Sequence, residues 1–435
     1  MSLFGPPNIK KLEASRNIKN LVNALSYEVT GSTLESDAIK IEARDALVRI
    51  GSPAVEELLQ ALNNPSACLS SVITLGRIGD VRAVEPLINV LHKGWIETWV
   101  IEALASLGDQ RAVEPIIGFA KNSSTPDTPS DKCSIAAINA LGELGDPRAV
   151  NVLNALLKDD ANNDNLRAKA AKALDQIGIA MGVETFIANL AAIDDALTTS
   201  AESELTQIGV PAIGHVLNYL FKPGDPDGKI DKSAGRVFAN VGEPAEIRIL
   251  YALKHHHNWN EAGVCIGALG WIGSERSLKV ILSYINHQYR SAAFTALGQI
   301  GDERVVKPLI DYIYRNSDDH RAVSALGKVK DHRALNSLIL ALKQSSSNVR
   351  MGAAIALGNL EEKSSVEALI AALNDDDFLV WETAAKSLGK IKDIQAVTPL
   401  ITALQDNSEY VVHAAAVSLA QIGDKRAIEP LTEFL

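Results

Sequence analysis

The chain has 435 residues, of which 47% are hydrophobic but only 5% aromatic, and its formal net charge is −11. That charge disfavours a general binder of nucleic acid or of an anionic membrane, since both are polyanions. There is no run of eighteen apolar residues and no charged-then-apolar leader, so a soluble cytoplasmic protein is expected. Cys68, Cys133 and Cys265 lie far apart, make no metal motif, and read as buried free thiols.

Residues 1–36 read as a lead-in followed by a capping half repeat. Phe4-Gly5-Pro6-Pro7 is extended, Lys10 to Tyr27 holds one long or two short amphipathic helices, and a loop covers Thr30–Ser36. From residue 37 to 435 the chain repeats. Leu75–Leu91, LGRIGDVRAVEPLINVL, shows the unit most clearly. Leu75 and Ile78 share one helix face. Gly76 leaves room for a neighbouring helix, and Gly79 ends its own helix in the left-handed conformation. Asp80 caps the next helix. Pro86 has no N–H, so that second helix starts within the few residues before it. Leu87, Ile88 and Leu91 are expected to face inward.

The turn mark recurs at Gly51, Gly79, Gly108, Gly145, Gly178, Gly209, Gly242, Gly273, Gly301, Lys330, Glu361, Lys392 and Gly423. The twelve steps from 51 to 423 average 31 residues, which fits two helices and two turns. Three polar inserts interrupt the pattern near 121–131, 158–165 and 222–232, and Ala180–Gly209 is a weaker unit. In the third insert, Asp225, Asp227, Gly228, Ile230 and Asp231 match the middle of a calcium loop. Pro223 and Ala234 stand where its anchoring acids belong, so an acidic surface turn is expected. The last inward-facing helix ends at Glu433-Phe434-Leu435 without a polar cap, and self-association through that C-terminal helix is an expectation.

LGRIGDVRAVEPLI (75–88), LGELGDPRAV (141–150), LGQIGDERVVKPLI (297–310) and IGDKRAIEPL (422–431) resemble the HEAT repeat, in the short bacterial form of the phycobilisome lyase HEAT-like repeats. The resemblance covers nearly the whole chain. It implies an all-α fold, a right-handed α-solenoid of about thirteen helical hairpins. It also implies that the second helices line a concave face.

Aligned on their last core residue, the second helices carry Ala61, Val90, Tyr219, Ala252, Tyr284, Tyr312, Ala341, Ala372 and Ala403 at the preceding position. Tyr219, Tyr284 and Tyr312 therefore read as a contact stripe. Two positions past the core residue stand Lys93, Lys222, His255, His287 and Arg315, then Asp375 and Asp406. The middle of the array is expected to be locally positive and the last third negative. His255-His256-His257 point in different directions and cannot share one metal. The Asp-x-Arg words at 80/82, 109/111, 146/148, 302/304, 331/333 and 424/426 recur too often to be catalytic. Their Asp is expected to cap, and their Arg to bridge to the neighbouring unit.

The residues favour a non-catalytic scaffold that binds a protein or peptide on its concave face. Tyr219, Tyr284, Tyr312, His255, His287 and Arg315 are the candidate contacts. No catalytic residue, metal ligand or cofactor is assigned, and no nucleic acid or membrane is expected as a partner. The alternative that the resemblance suggests is a bilin lyase, holding a linear tetrapyrrole on the same residues. Deoxyhypusine hydroxylase shares this kind of repeat but holds two irons with His-Glu pairs, and none occurs here. Walker, G-x-S-x-G and H-E-x-x-H words are also absent.

One unit buries about six apolar side chains at roughly 1.5–3 kcal/mol each, while ordering some thirty backbone residues costs roughly 1–2 kcal/mol apiece. A synthetic peptide of residues 65–95 is therefore expected to be unfolded by circular dichroism. A helical, cooperatively melting peptide would contradict the stacking argument.

Overall fold

The computed structural model describes residues 6–28, 33–92, 96–121, 129–159, 164–190, 195–221, 229–255, 259–316, 319–406 and 408–434. Among these every regular element is a helix. The chain forms two compact units, one up to Tyr219 and one from Leu220. Each unit is a stack of helical hairpins, an all-α solenoid in which first helices pack on first helices.

The hairpin around Gly79 shows how local chemistry builds the unit. Asn64 caps the first helix, Pro65–Ile78, by accepting the Ser66 N–H, and Pro65 takes the first helical position. Gly79 ends it in the left-handed region at φ +76°. Asp80 then accepts the Arg82 N–H and starts a single 3-10 turn, Val81–Ala83. The second helix comes next as Val84–Val90. Val84, Leu87 and Leu91 are fully buried and Val90 nearly so, whereas Ile88, expected inward, is half-exposed. Ile88 lies about 100° around the helix from Leu87, at the margin of the buried stripe.

The Asp-x-Arg words do what their recurrence implied. Arg82 grips its own Asp80 through two donors (3.0 and 2.8 Å) and donates to the Ser52 carbonyl of the preceding hairpin (3.0 Å). Arg148 reaches the Gln110 carbonyl (2.8 Å), Arg304 that of Gly273 (2.6 Å) and Arg426 that of Ile394 (3.2 Å). Arg111 and Arg333 reach back to the carboxylates of Glu85 and Glu303, each at 3.4 Å. Each clamp thus caps one helix and ties it to the hairpin before.

Small residues set the distance between first helices. A Cβ on Gly76 would lie 2.8 Å from Ala103 Cα, so any side chain there forces the two helices apart. Lys330, Glu361 and Lys392 replace the turn glycine and keep its left-handed conformation. Gly178 does not act as a turn mark. It stays inside the helix Asp164–Ala180, and the positive φ falls on Gly182. A Cβ on Gly178 would sit 2.5 Å from the Pro211 carbonyl oxygen, so the close approach of the next hairpin explains this glycine.

At the N-terminus the helices are two and short, Ile9–Ala14 and Ile18–Ala24, broken where Arg16 takes φ +49°. Glu13 on the first of them pairs with Arg49 at 2.6 Å. The predicted loops are shorter than expected, because helices begin inside them at Thr33, Pro129, Asp164 and Lys229. Residues 122–128, 160–163 and 222–228, with Asp225, Asp227 and Gly228, lie outside the described residues. Cys68 and Cys265 are buried and Cys133 half-buried. Burial pushes the Cys265 thiol up to about 12, so it stays protonated.

The clamps predict an acid limb. Arg111 and its backbone N–H hold the Asp109 carboxyl down at about 2, and the Asp331 and Asp424 carboxyls are held at about 2 by Arg333 and Arg426. Their unfolded value is about 3.9. The stability they contribute is complete above that value and is lost as the pH falls from about 4 toward 2. Melting temperature measured against pH is expected to drop over that window. Asp109→Asn and Asp331→Asn keep the cap, since asparagine caps about as well as aspartate, but lose the ion pair with arginine, so each should lose about 0.2–1 kcal/mol at neutral pH and show a shallower acid limb.

Candidate functional site

The hairpin turns lie along one edge of each stack, and the links from a second helix to the next first helix lie along the other. In the unit from Leu220, the second helices Glu243–Lys254, Glu275–Ser283 and Glu303–Arg315 run into links that carry most of the sequence candidates.

Tyr284 directly follows its second helix, with its N–H donated to the carbonyls of Ile281 and Leu282. The chain then turns back and places three rings together. Tyr284 meets His287 edge-on at 5.7 Å and Tyr289 at 5.9 Å, while His287 and Tyr289 stack at 5.2 Å. Tyr289 is buried beneath, Tyr284 is half-buried and His287 is exposed. Burial, then the neighbouring Tyr289, raises the Tyr284 hydroxyl above its ordinary value. One link earlier, the His255 ring lies 4.3 Å from that of Tyr251, and its Nδ1 is 2.8 Å from the Tyr251 carbonyl.

The next link is organised by Asp319, a residue that the stripe alignment did not select. Asp319 caps the helix His320–Val329 by accepting the Arg321 N–H. Its carboxylate also accepts from Arg321 Nε (2.8 Å) and from the Tyr312 hydroxyl (3.2 Å), and Arg290 Nε stands 3.5 Å away. Burial alone would raise this carboxyl, but the hydrogen bonds from the Arg321 side chain and backbone hold it below the usual range. Because Arg290 opens one first helix and Asp319 the next, this cluster ties two hairpins together on the link edge.

The structure revises the tyrosine stripe. Tyr312 is only 8% exposed, packs edge-on against Phe294 at 4.9 Å and spends its hydroxyl on Asp319. Tyr314, two residues on, is the exposed one at 62%. The aligned position itself faces inward, since Ala61, Val90, Ala341 and Ala372 at the same place are buried as well, and Tyr314, two residues on, points about 200° away. Arg315 is exposed and makes no ion pair among the described residues. Tyr219 is half-buried in the helix Val210–Phe221 of the first unit. Lys93, Lys222, His256 and His257 lie outside the described residues. The stripe reading missed Tyr289, Arg290 and Tyr314, as well as Asp319. A signal for Asp319 was present, since Asp319-His320-Arg321 repeats the Asp-x-Arg word at the other edge.

Among the described residues no three histidine, cysteine or acidic side chains come close enough to hold a metal ion. None of the helices among them is long and apolar enough to cross a membrane. The link edge offers aromatic faces and cationic donors, a surface suited to holding a carboxylate-bearing or aromatic ligand.

No curated protein matches the sequence. Among solved structures the chain is similar to an engineered protein at 19% identity, covering 94% of this chain and 99% of that one with a TM-score of 0.25. It is similar to importin beta at 12% identity, covering 98% and 71% with a TM-score of 0.38. It is also similar to the complex of CpcE and CpcF of phycocyanin lyase from Nostoc sp. PCC7120, at 18% identity, covering 58% and 94% with a TM-score of 0.29. The model of the PBS lyase HEAT-like repeat matches residues 68–93. The model described as HEAT repeats matches residues 96–175, 125–206, 247–322, 319–380 and 366–435. These matches cover more than half of the sequence, and the chain belongs to the HEAT repeat family.

Proposed function

We propose that this chain is a non-catalytic interaction scaffold that holds a protein or peptide partner on its second helices and the links after them. The supporting observation is the contrast between its two edges. On the turn edge, Asp and Arg are spent on each other and on the neighbouring backbone. On the link edge of the C-terminal unit, His287, Tyr314 and Arg315 stand exposed beside a rigid base of Tyr289, Asp319 and Arg321. Exposed aromatic and arginine side chains on a fixed base are the type that dominates binding energy at protein interfaces. The concave face is the surface on which this reading places the partner, and the same residues would meet a bilin under the lyase reading.

Capture from the protein's own cell lysate, read by mass spectrometry, tests this. A His287→Ala/Tyr314→Ala/Arg315→Ala variant is expected to lose a protein that the wild type retains, with its melting temperature nearly unchanged. Tyr312→Ala is the structural control and is expected to cost about 3 kcal/mol, because it empties a packed aromatic site. If the triple variant captures the same proteins as the wild type, the link-edge assignment is wrong. A coloured complex on adding a bilin would favour the lyase instead.

A further inference from the structure

The charges along the link edge of the C-terminal unit are segregated, although the chain as a whole is acidic. Four successive links carry cations. Lys254 and His255 lie on the first, His287 and Arg290 on the second, Arg315, His320 and Arg321 on the third, and Lys343 and Arg350 on the fourth. The acids among them are Glu261, in the first turn after the first link, and Asp318 and Asp319 on the third, and Asp319 is consumed by Arg321, Tyr312 and Arg290. The next two links reverse the sign. They hold Asp375, Asp376 and Asp377, then Asp406 and Glu409, with no cation of their own. Where the sign changes, Arg350 takes Asp375 in a two-pronged pair (2.7 and 2.8 Å) and also donates to the carbonyls of Gln344 and Ser345, so both charges are satisfied internally. That leaves Arg315 and Lys343 exposed on one side of the junction and Asp376, Asp406 and Glu409 exposed on the other. Large apolar side chains stand out of the same edge on both sides, with Tyr314 at 62%, Phe378 at 53% and Tyr410 at 70% exposure.

Helix-dipole complementarity explains cations at helix C-termini and acids at helix N-termini. It does not explain why the early links hold mainly the first and the late links only the second, since every link contains both kinds of terminus. We infer that this edge docks an extended protein segment with a block of acidic residues and a block of basic residues, the acidic block over the links at 254–350 and the basic block over those at 374–409. This rests on the scaffold reading and specifies its partner. Neighbouring first helices pack about 8–10 Å apart, and an extended chain advances about 3.3 Å per residue. Each link therefore spans about three residues of the partner, and the whole edge about fifteen. Charge sets the register and the exposed aromatic rings supply contact area. A uniformly charged polyanion such as nucleic acid fits only half of this edge and is repelled by the other.

The test uses the full chain and two labelled peptides of equal composition. One has a block of glutamates, a stiff triple-proline spacer that keeps the halves apart, and a block of lysines. The other alternates glutamate and lysine around the same spacer. Fluorescence anisotropy is expected to show the block peptide binding at least about tenfold more tightly, and the preference should fade between about 50 and 300 mM salt. Arg315→Glu/Lys343→Glu and Asp376→Lys/Glu409→Lys are expected each to lose that preference with unchanged helix content. None of these four side chains belongs to a clamp. Combining the four substitutions reverses both halves and is expected to recover binding, which a misfolded variant would not do. Equal binding of the two peptides, or full binding by either half-reversed variant, overturns the inference. So does tighter binding of a DNA duplex than of the block peptide. If neither peptide binds while a lysate partner is still captured through His287, Tyr314 and Arg315, this inference falls and the scaffold reading stands.

Discussion

The stack depends on one recurring interaction, the clamp between the Asp that caps a second helix and the Arg two residues later. The Asp satisfies backbone N–H groups that a helix start leaves without partners. The Arg is held flat against that carboxylate, and its remaining donors point at the hairpin before. A clamp such as Asp80–Arg82–Ser52 therefore does in four bonds what a short hairpin cannot do by itself, which is to fix its angle to its neighbour. Single exposed ion pairs contribute little. These contribute more than an isolated pair because the same carboxylate is already a cap and the arginine also serves a backbone carbonyl.

The clamp works only because the first helices lie close together, and small residues control that distance. Gly76 over Ala103, Gly327 over Ala356 and Gly358 over Ser387 are the same contact repeated in both units. Glycine inside a helix costs about 1 kcal/mol relative to alanine, and the tight packing of neighbouring helices offsets it. At Gly178 the contact and the turn both differ. Gly178 meets a backbone carbonyl instead of an alanine, and its helix runs on to a later turn glycine.

The two edges of the stack have separate tasks. The turn edge repeats the same chemistry and has little left to offer a partner. The link edge varies from hairpin to hairpin, which is the freedom a binding surface needs. Asp319 brings the clamp chemistry to that edge and there gathers donors from two hairpins. This stiffens the base under Tyr314 and Arg315 without using either of them.

The period, the turn chemistry and the helical hairpin were legible in the sequence because they are local. Leu, Gly, Asp and Arg act within a few residues of one another, so their spacing alone dictates a helix end, a cap and a new helix. The capping role of the Asp and the bridge made by the Arg could be read for the same reason. Which side chains face outward could not be read, because burial is decided by the neighbouring hairpin. The alignment put Tyr312 on the stripe and passed over Tyr314, whereas packing against Phe294 and the bond to Asp319 bury the first and leave the second exposed. Gly178 reads as a turn until Pro211 is brought against it. The sequence by itself determined that the chain is a stack of hairpins with charge segregated along its links. The tertiary structure decided which of those charges are consumed within the fold and which remain at the surface, because only contacts between hairpins distant in sequence can satisfy them.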